Sequence, residues 1–449
     1  MRFASRPFPT SLLLITSVLL GASFAAAQSP KADLQMPAVT MIEKPVTVIA
    51  VPTFGVSGNS GAIAPGAFPE IIYNDLEVLS DFQRAKNQSF VEETHRRDMT
   101  TNQVDFTEWQ RLSANFVLKG EVSARGNTIS ADCLLYDVDN KRKVFGLRYA
   151  DFPLKNPRKL AHRISDDVVK HVFDDVGIAS TQIVYVSART SAREKEIYVM
   201  DADGHNQRRV TSDRSLALTP CWGKNATEIY FTSYRDRYPD LCMVQLDSSK
   251  VWYISRRDGG NHTPDWCPKT QRIVCFLGKD GNPEIYSMDR SGVRGSLRRL
   301  TNDPAIDCSP CWSPDGSQVA FTSDRTGAIH IWKMNADGSN PVRLTHKGSY
   351  NDSPAWSPLG DRIAFEARDQ GIFDIYTMNT DGSGLMQLTG GQGRNDDPSW
   401  APDGKHLVFS SNRTGSQQIY IMRADGTNQR QITREGLRNE SPSWSPPMP

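Results

Sequence analysis

The sequence lacks an excess of charge of either sign: 52 Lys and Arg stand against 51 Asp and Glu, a formal net charge of +1. Nucleic-acid proteins need a concentrated basic face to neutralise phosphates, so this balance argues against that class. Long apolar runs are also missing. The stretch Leu12 to Leu20 falls short of the roughly 20 residues that a membrane-spanning helix needs. Cysteine is sparse and odd in number: Cys133, Cys221, Cys242, Cys267, Cys275, Cys308 and Cys311. An odd set leaves at least one thiol free or bonded to another chain. Cys308-Ser-Pro-Cys311 has CxxC spacing but no second pair beside it. Small buried apolar side chains are therefore the expectation for most of the seven.

Catalytic signatures are missing too. The chain carries no G-x-S-x-G elbow, no H-E-x-x-H, no P-loop and no G-x-G-x-x-G, and its eight histidines show no metal-ligand spacing. The expectation is a non-enzymatic protein with no cofactor.

What is present begins with an address. Arg2 and Arg6 precede the apolar stretch, and Ala25-Ala26-Ala27 supplies small residues for cleavage before Gln28. This pattern predicts a secretory signal peptide over residues 1–27 and an exported chain with no transmembrane segment after it. Residues 28–43, punctuated by Pro and Ala, read as a mobile arm.

Residues 44–176 have the texture of an α/β domain. Val46 to Val51 reads as a buried strand, and Phe68 to Leu79 as a helix with Ile72, Leu76 and Leu79 on one face. A short helix is expected near Glu108 to Ser113, then strands at Phe116-Val117-Leu118, Ile129 to Tyr136 and Val144 to Tyr149. Pro157 opens a helix carrying Leu160, Ile164, Val168 and Val172, and Gly177 is read as its end and the domain boundary.

From residue 177 to 449 the chain repeats itself. Trp222, Trp266, Trp312, Trp356, Trp400 and Trp444 recur at a spacing of about 44 residues, each inside a Pro-x-Trp tripeptide. A parallel ladder runs through Ile197-Tyr198, Leu241-Cys242, Ile285-Tyr286, Ile331-Trp332, Ile375-Tyr376 and Ile419-Tyr420. One copy reads as four short strands: Cys311-Trp312, Val319 to Phe321, Ile329 to Met334 and Val342 to Thr345. Turns at Pro314-Asp315-Gly316 and Asp337-Gly338 separate them. Turn glycines return at Gly204, Gly382 and Gly426. Four strands per repeat, six times, is a β-propeller. Ile183-Val184-Tyr185 begins a blade without its Pro-x-Trp strand, and Ser441 to Trp444 supplies one without the rest. The predicted fold is thus an α/β domain followed by an all-β six-bladed propeller, closed by its C-terminal strand.

A ring of blades offers a face of loops. Asn261, His262, Asp307, Cys308, Asn351, Asp352, Asn395, Asp396, Asn439 and Glu440 fall in the segments that join one blade to the next, just before each Pro-x-Trp strand. Arg189, Arg235, Arg325 and Arg413 occupy equivalent loops between second and third strands. Together they present either a mixed-charge docking surface or a set of internal pairs holding the ring together. The acidic ring offers oxygen ligands suited to a cation such as Ca²⁺. The six tryptophans, fixed in every blade, are expected to pack between blades.

An exported chain with this domain order and these S-P-x-W-S-P-D-G repeats resembles the TolB family of the Tol–Pal cell-envelope system. The resemblance is carried by Ala50-Val51-Pro52-Thr53-Phe54, by the blade ends Arg208 to Thr211, Arg343-Leu344-Thr345 and Gln429 to Thr433, and by Ser441 to Pro446. It implies a periplasmic scaffold without enzymatic activity, important for envelope integrity and cell division and exploited by some colicins and phages. It further implies that the loop face receives the peptidoglycan-associated lipoprotein Pal, through Asn261, His262, Asp307, Cys308, Asn351, Asp352, Asn395 and Asp396. The inner-membrane protein TolA would engage a segment within Gln28 to Lys44. A different class stays open: an exported propeller that binds or cleaves polysaccharide, with paired carboxylates at a channel mouth.

Overall fold

The computed structural model describes residues 46–58, 66–101, 103–189, 193–292, 294–369 and 371–448. The signal-peptide and arm expectations, residues 1–43, lie outside them. The α/β domain runs β1 (Thr47–Ala50), β2 (Gly55–Gly58), α1 (Ala67–Leu79), β3 (Phe82–Arg84), α2 (Gln88–Thr101), α3 (Phe106–Arg111), β4 (Phe116–Arg125), β5 (Thr128–Asp137), β6 (Arg142–Pro153) and α4 (Arg158–Phe173). Its sheet has the order β3-β1-β4-β5-β6, with β2 alongside β4. The first pairings are parallel and the β4–β5–β6 meander is antiparallel.

Helical spacing places Phe68, Ile72 and Leu76 of α1 and Leu160, Ile164 and Val168 of α4 in one core with Leu118, Val122 and Leu135 of the sheet. Each such burial contributes roughly 1.5–3 kcal/mol. A second core, with Val91 of α2 and Trp109 of α3, covers Val117. The sequence pattern missed α2, because its buried positions include Thr94 and Asp98 as well as Val91. Asp98 accepts from Lys119 Nζ at 2.6 Å, the Trp109 indole at 2.8 Å and the Asp105 amide at 2.8 Å. The end of α4 needs correction. The helix stops at Phe173, capped by Asp174 in the left-handed region, not at Gly177. Gly177 is required for another reason: a Cβ there would lie 2.6 Å from Asp166 Oδ1.

The propeller comprises six four-stranded antiparallel sheets. The first blade joins both ends of the repeat region, in the order Arg438–Trp444, Gln182–Ala188, Glu196–Asp201 and Arg208–Arg209. The other inner strands are Ala217–Trp222, Asn261–Cys267, Asp307–Trp312, Asn351–Trp356 and Asn395–Trp400, in blades two to six. Closure by the C-terminal strand is direct, with Trp444 opposite Ile183 and Glu440 opposite Val186. Such closure removes a free sheet edge.

The outer strand is shorter than expected from Val342 to Thr345: only Val342–Arg343 pairs. Thr345 instead turns inward, and its Oγ1 accepts the Ile331 amide at 3.0 Å. The same threonine device recurs at Thr211, Thr301, Thr389 and Thr433. Each inner strand also carries a bulge at its pre-proline residue. Thr219, Thr263, Ser309, Ser353, Asp397 and Ser441 all adopt positive φ between 43° and 53°. The tryptophans pack between blades as expected, with the Trp222 indole donating to Ser443 O at 2.9 Å and that of Trp400 to Ala355 O at 3.0 Å.

The recurrent Asp-Gly turn has an equally specific cause. Gly382 and Gly426 have φ of +87° and +83°, and a Cβ on either would sit 2.6 Å from a carbonyl oxygen of the preceding blade, Leu344 O or Leu388 O. Gly426→Ala should therefore combine left-handed strain with a backbone clash, costing about 2–4 kcal/mol. A urea midpoint lowered accordingly, at unchanged slope, would check this; an unchanged midpoint would show that the blades slide apart freely.

Candidate functional site

The inner strands enter the propeller at the loop face, so their first two residues ring the channel mouth. The first position is buried in each blade that carries a polar residue there. Asn261, Asp307, Asn351, Asn395 and Asn439 are all 4% exposed or less. Their side chains tie each blade to its predecessor. The Asn395 amide donates to Asp374 Oδ1 at 2.9 Å, the Asn439 amide to Gln418 Oε1 at 2.8 Å, and the Asn261 amide to Pro239 O at 3.0 Å.

The four loop arginines also have partners within the ring. Arg325 spans both oxygens of Asp307 at 3.0 and 2.8 Å. Arg235 donates to Asp213 at 3.0 Å and Arg189 to Glu435 at 3.1 Å. Arg413 donates to neutral acceptors, Asn395 at 2.8 Å and Gln429 at 2.6 Å. Of the two arrangements open from the sequence, internal pairing is the one observed for these side chains.

The second position, also buried at Cys308, Asp352, Asp396 and Glu440 and half-buried at Leu218 and His262, sets the charge around the mouth. In ring order it reads Leu218, His262, Cys308, Asp352, Asp396 and Glu440 in blades two, three, four, five, six and one. One half of the mouth is therefore neutral and the other acidic. On the neutral half His262 stacks on Phe276, with ring centroids 4.7 Å apart. Burial pulls its pKa down to about 4, so the ring is uncharged at neutral pH.

On the acidic half Glu366 stands opposite Asp352 across the blade, and Asp397 adjoins Asp396. Burial, and then the negative charge of Asp396, pushes Glu366 well above the carboxylate range. The same two causes raise Asp397 to about 7. Arg394 meets both oxygens of Asp396 at 2.6 and 2.8 Å, while Lys195 and Arg438 pair with Glu440. Five carboxylates thus face three cations along this arc. Asp352 with Glu366 is a carboxylate pair on neighbouring strands.

Blade five also holds residues that the sequence reading passed over. Its hairpin of Arg362–Asp369 and Ile372–Asn379 exceeds the other central hairpins, and Ile372 is exposed. Beside it Phe373 meets Tyr350 edge-on at 5.2 Å, and the Arg394 guanidinium lies 4.3 Å above the Phe373 ring. One signal was available: at this repeat position the other blades carry Lys195, Pro239, Pro283, Ile329 and Gln417, so Phe373 is the one aromatic.

Behind the mouth lies a channel of about 610 Å³, lined by inner strands of all six blades. Its wall carries the pre-proline ring and two carboxylates, Asp265 and Asp397. Asp265 accepts the Trp312 amide of the next blade at 2.7 Å, yet burial raises its pKa to about 6. A folded pKa above the unfolded value gives a contribution fully present below about pH 4 and lost as pH rises through about 6. Asp265→Asn keeps the acceptor and removes the charge. It should stabilise the propeller by about 2 kcal/mol at pH 8, after solvent screening, and leave it unchanged at pH 4. Denaturant titrations at the two pH values would decide this.

Residues 39–144 match the TolB amino-terminal domain, and residues 169–373 and 350–448 match the TolB beta propeller domain, more than half of the chain. The chain belongs to the TolB family. A Tol-Pal system protein TolB from Desulfosudis oleivorans is 33% identical over 257 residues, 56% of this chain and 57% of that protein. A protein TolB homolog from Chlorobium chlorochromatii is 33% identical over 226 residues, half of each chain. The chain thus matches about half the length of these TolB relatives. The crystal structure of TolB from Acinetobacter baumannii aligns with a TM-score of 0.78 at 24% identity, covering 90% of this chain and 98% of that one. That likeness bears on the fold: a TolB-type α/β domain and six-bladed propeller. Among the described residues no helix is long and apolar enough to cross a membrane.

Proposed function

We propose that this chain is a non-enzymatic, periplasmic scaffold of the Tol–Pal system, reached by export with a cleaved signal peptide. Its propeller mouth receives the peptidoglycan-associated lipoprotein Pal, and the segment Gln28 to Lys44 engages inner-membrane TolA. Family membership supports the system. The polarised mouth carries the docking proposal: an acidic half from blades five, six and one opposes a neutral half containing Leu218, His262 and Cys308. A partner with a cationic group and an apolar group side by side would be held in one orientation.

The test is a titration calorimetry measurement with purified Pal from the same organism. Asp352→Asn combined with Asp396→Asn should weaken binding at least tenfold while leaving the circular dichroism spectrum unchanged. Full-strength binding by that variant would remove the acidic half from the interface. Retention on cell-wall glycan with no lipoprotein bound would instead favour a polysaccharide role for the Asp352 and Glu366 pair.

A further inference from the structure

A second cluster of buried charge lies away from the mouth, where the α/β domain meets the first blade. Asp75 of α1, His162 of α4 and Asp203, in the turn after Glu196–Asp201, bring one ligand atom each within 4.8 Å of one another. All three are at least nine-tenths buried. His162 Nδ1 lies 2.8 Å from Asp75 Oδ2, and its Nε2 lies 3.4 Å from Asp201 Oδ2. Ser165 Oγ donates to Asp75 Oδ2 at 2.9 Å, but Asp75 Oδ1, equally buried, has no hydrogen-bond partner. A buried carboxylate oxygen left unpaired is expensive, so its neighbourhood calls for a positive ligand.

Counting charge leads the same way. The cluster holds three carboxylates, Asp75, Asp201 and Asp203, and one permanent cation, Arg158, which pairs with Asp203. The Asn74 amide donates to Asp203 Oδ2 at 3.0 Å, and His205 borders it from the surface side. These carboxylates outnumber that one permanent cation. Two carboxylates and one imidazole form a donor set suited to Zn²⁺ and related transition ions.

We propose that Asp75, His162 and Asp203 form a divalent transition-metal site that ties the α/β domain to the propeller. The ion takes the unpaired Asp75 oxygen, is ligated by His162, and shares Asp203 with Arg158. Domain attachment then becomes metal-linked, because the ligands come from both sides of the seam.

The test uses the whole chain stripped with a chelator and titrated with Zn²⁺. The expected result is about one equivalent bound per chain and a melting temperature raised by several degrees. Asp75→Asn and His162→Gln should each weaken Zn²⁺ at least tenfold, whereas Asp396→Asn, at the mouth, should not. Co²⁺ bound to the unaltered protein should show visible absorption and paramagnetically shifted signals from one histidine ring, a readout that needs no variant. No saturable binding would overturn the proposal. So would binding that survives both ligand variants, or a Co²⁺ spectrum without histidine. None of these outcomes depends on whether the mouth binds Pal.

Discussion

A chain ending at Leu437 is expected to lose the propeller as a cooperative unit. The deletion removes the inner strand of the first blade, which pairs with Gln182–Ala188 along its length. It removes Trp444, 5% exposed, whose indole donates to Thr181 Oγ1 at 2.8 Å and whose amide donates to Ser399 Oγ of the neighbouring blade at 3.1 Å. It also removes Ser445, whose amide donates to Gln182 O at 2.8 Å. Losing one buried tryptophan alone costs about 3–5 kcal/mol, against a typical total stability of 5–15 kcal/mol. The truncated chain would further expose the edge of Gln182–Ala188 and the inner-strand flanks of both neighbouring blades, inviting association. Circular dichroism melts and size-exclusion chromatography provide the check. A cooperative melt within a few degrees of the full chain, from a monomer, would show that closure contributes little.

Arg325→Ala should be the most damaging single change on the loop face, and Arg413→Ala much milder, although the two residues are repeat equivalents. Arg325 neutralises Asp307, whose side chain is fully buried, and stacks 4.8 Å above the Trp332 ring. Truncation strands a buried carboxylate, at about 3–5 kcal/mol. Arg413 donates to Asn395 and Gln429, so its loss leaves neutral acceptors unpaired, at about 1–2 kcal/mol. The two cases separate further with pH. Burial already holds the Asp307 carboxyl above its usual range, and losing Arg325 raises it more. A raised folded pKa means stability that is present in acid and lost as pH rises. The Arg325→Ala deficit should therefore be larger at pH 8 than at pH 5, while that of Arg413→Ala, which touches a carboxylate only at a distance through Asp374, changes less. Equal deficits at both pH values would show that Asp307 is solvated or already neutral.

The contrast between these arginines marks how far the repeat pattern reaches. Their equivalence was legible from spacing, as was the ring of residues before each Pro-x-Trp. Whether a ring residue faces solvent or the adjacent blade was not. Asn261, Asn395 and Asn439 look like binding groups in sequence because they are polar and recur in loops. They recur because each blade must satisfy polar groups buried against the last one. Glu366 and Phe373 escaped notice for the opposite reason: they depart from the repeat, and a pattern weights what recurs.

What the amino-acid sequence determined by itself was the repeating unit, the number of blades and the way the ring closes. Those features rest on local backbone demands: proline after the bulge in every copy, and in most copies glycine at the Asp-Gly turn and threonine at the end of the outer strand. The polarity of the mouth and the cluster at the seam arise from packing between distant segments. The acidic half gathers residues from Asp352 to Glu440, and the seam brings Asp75, His162 and Asp203 together across as many as 128 positions of chain. Their chemistry depends on desolvation and on neighbouring charge. Both are properties of what packs beside a residue, which periodicity along the chain does not encode.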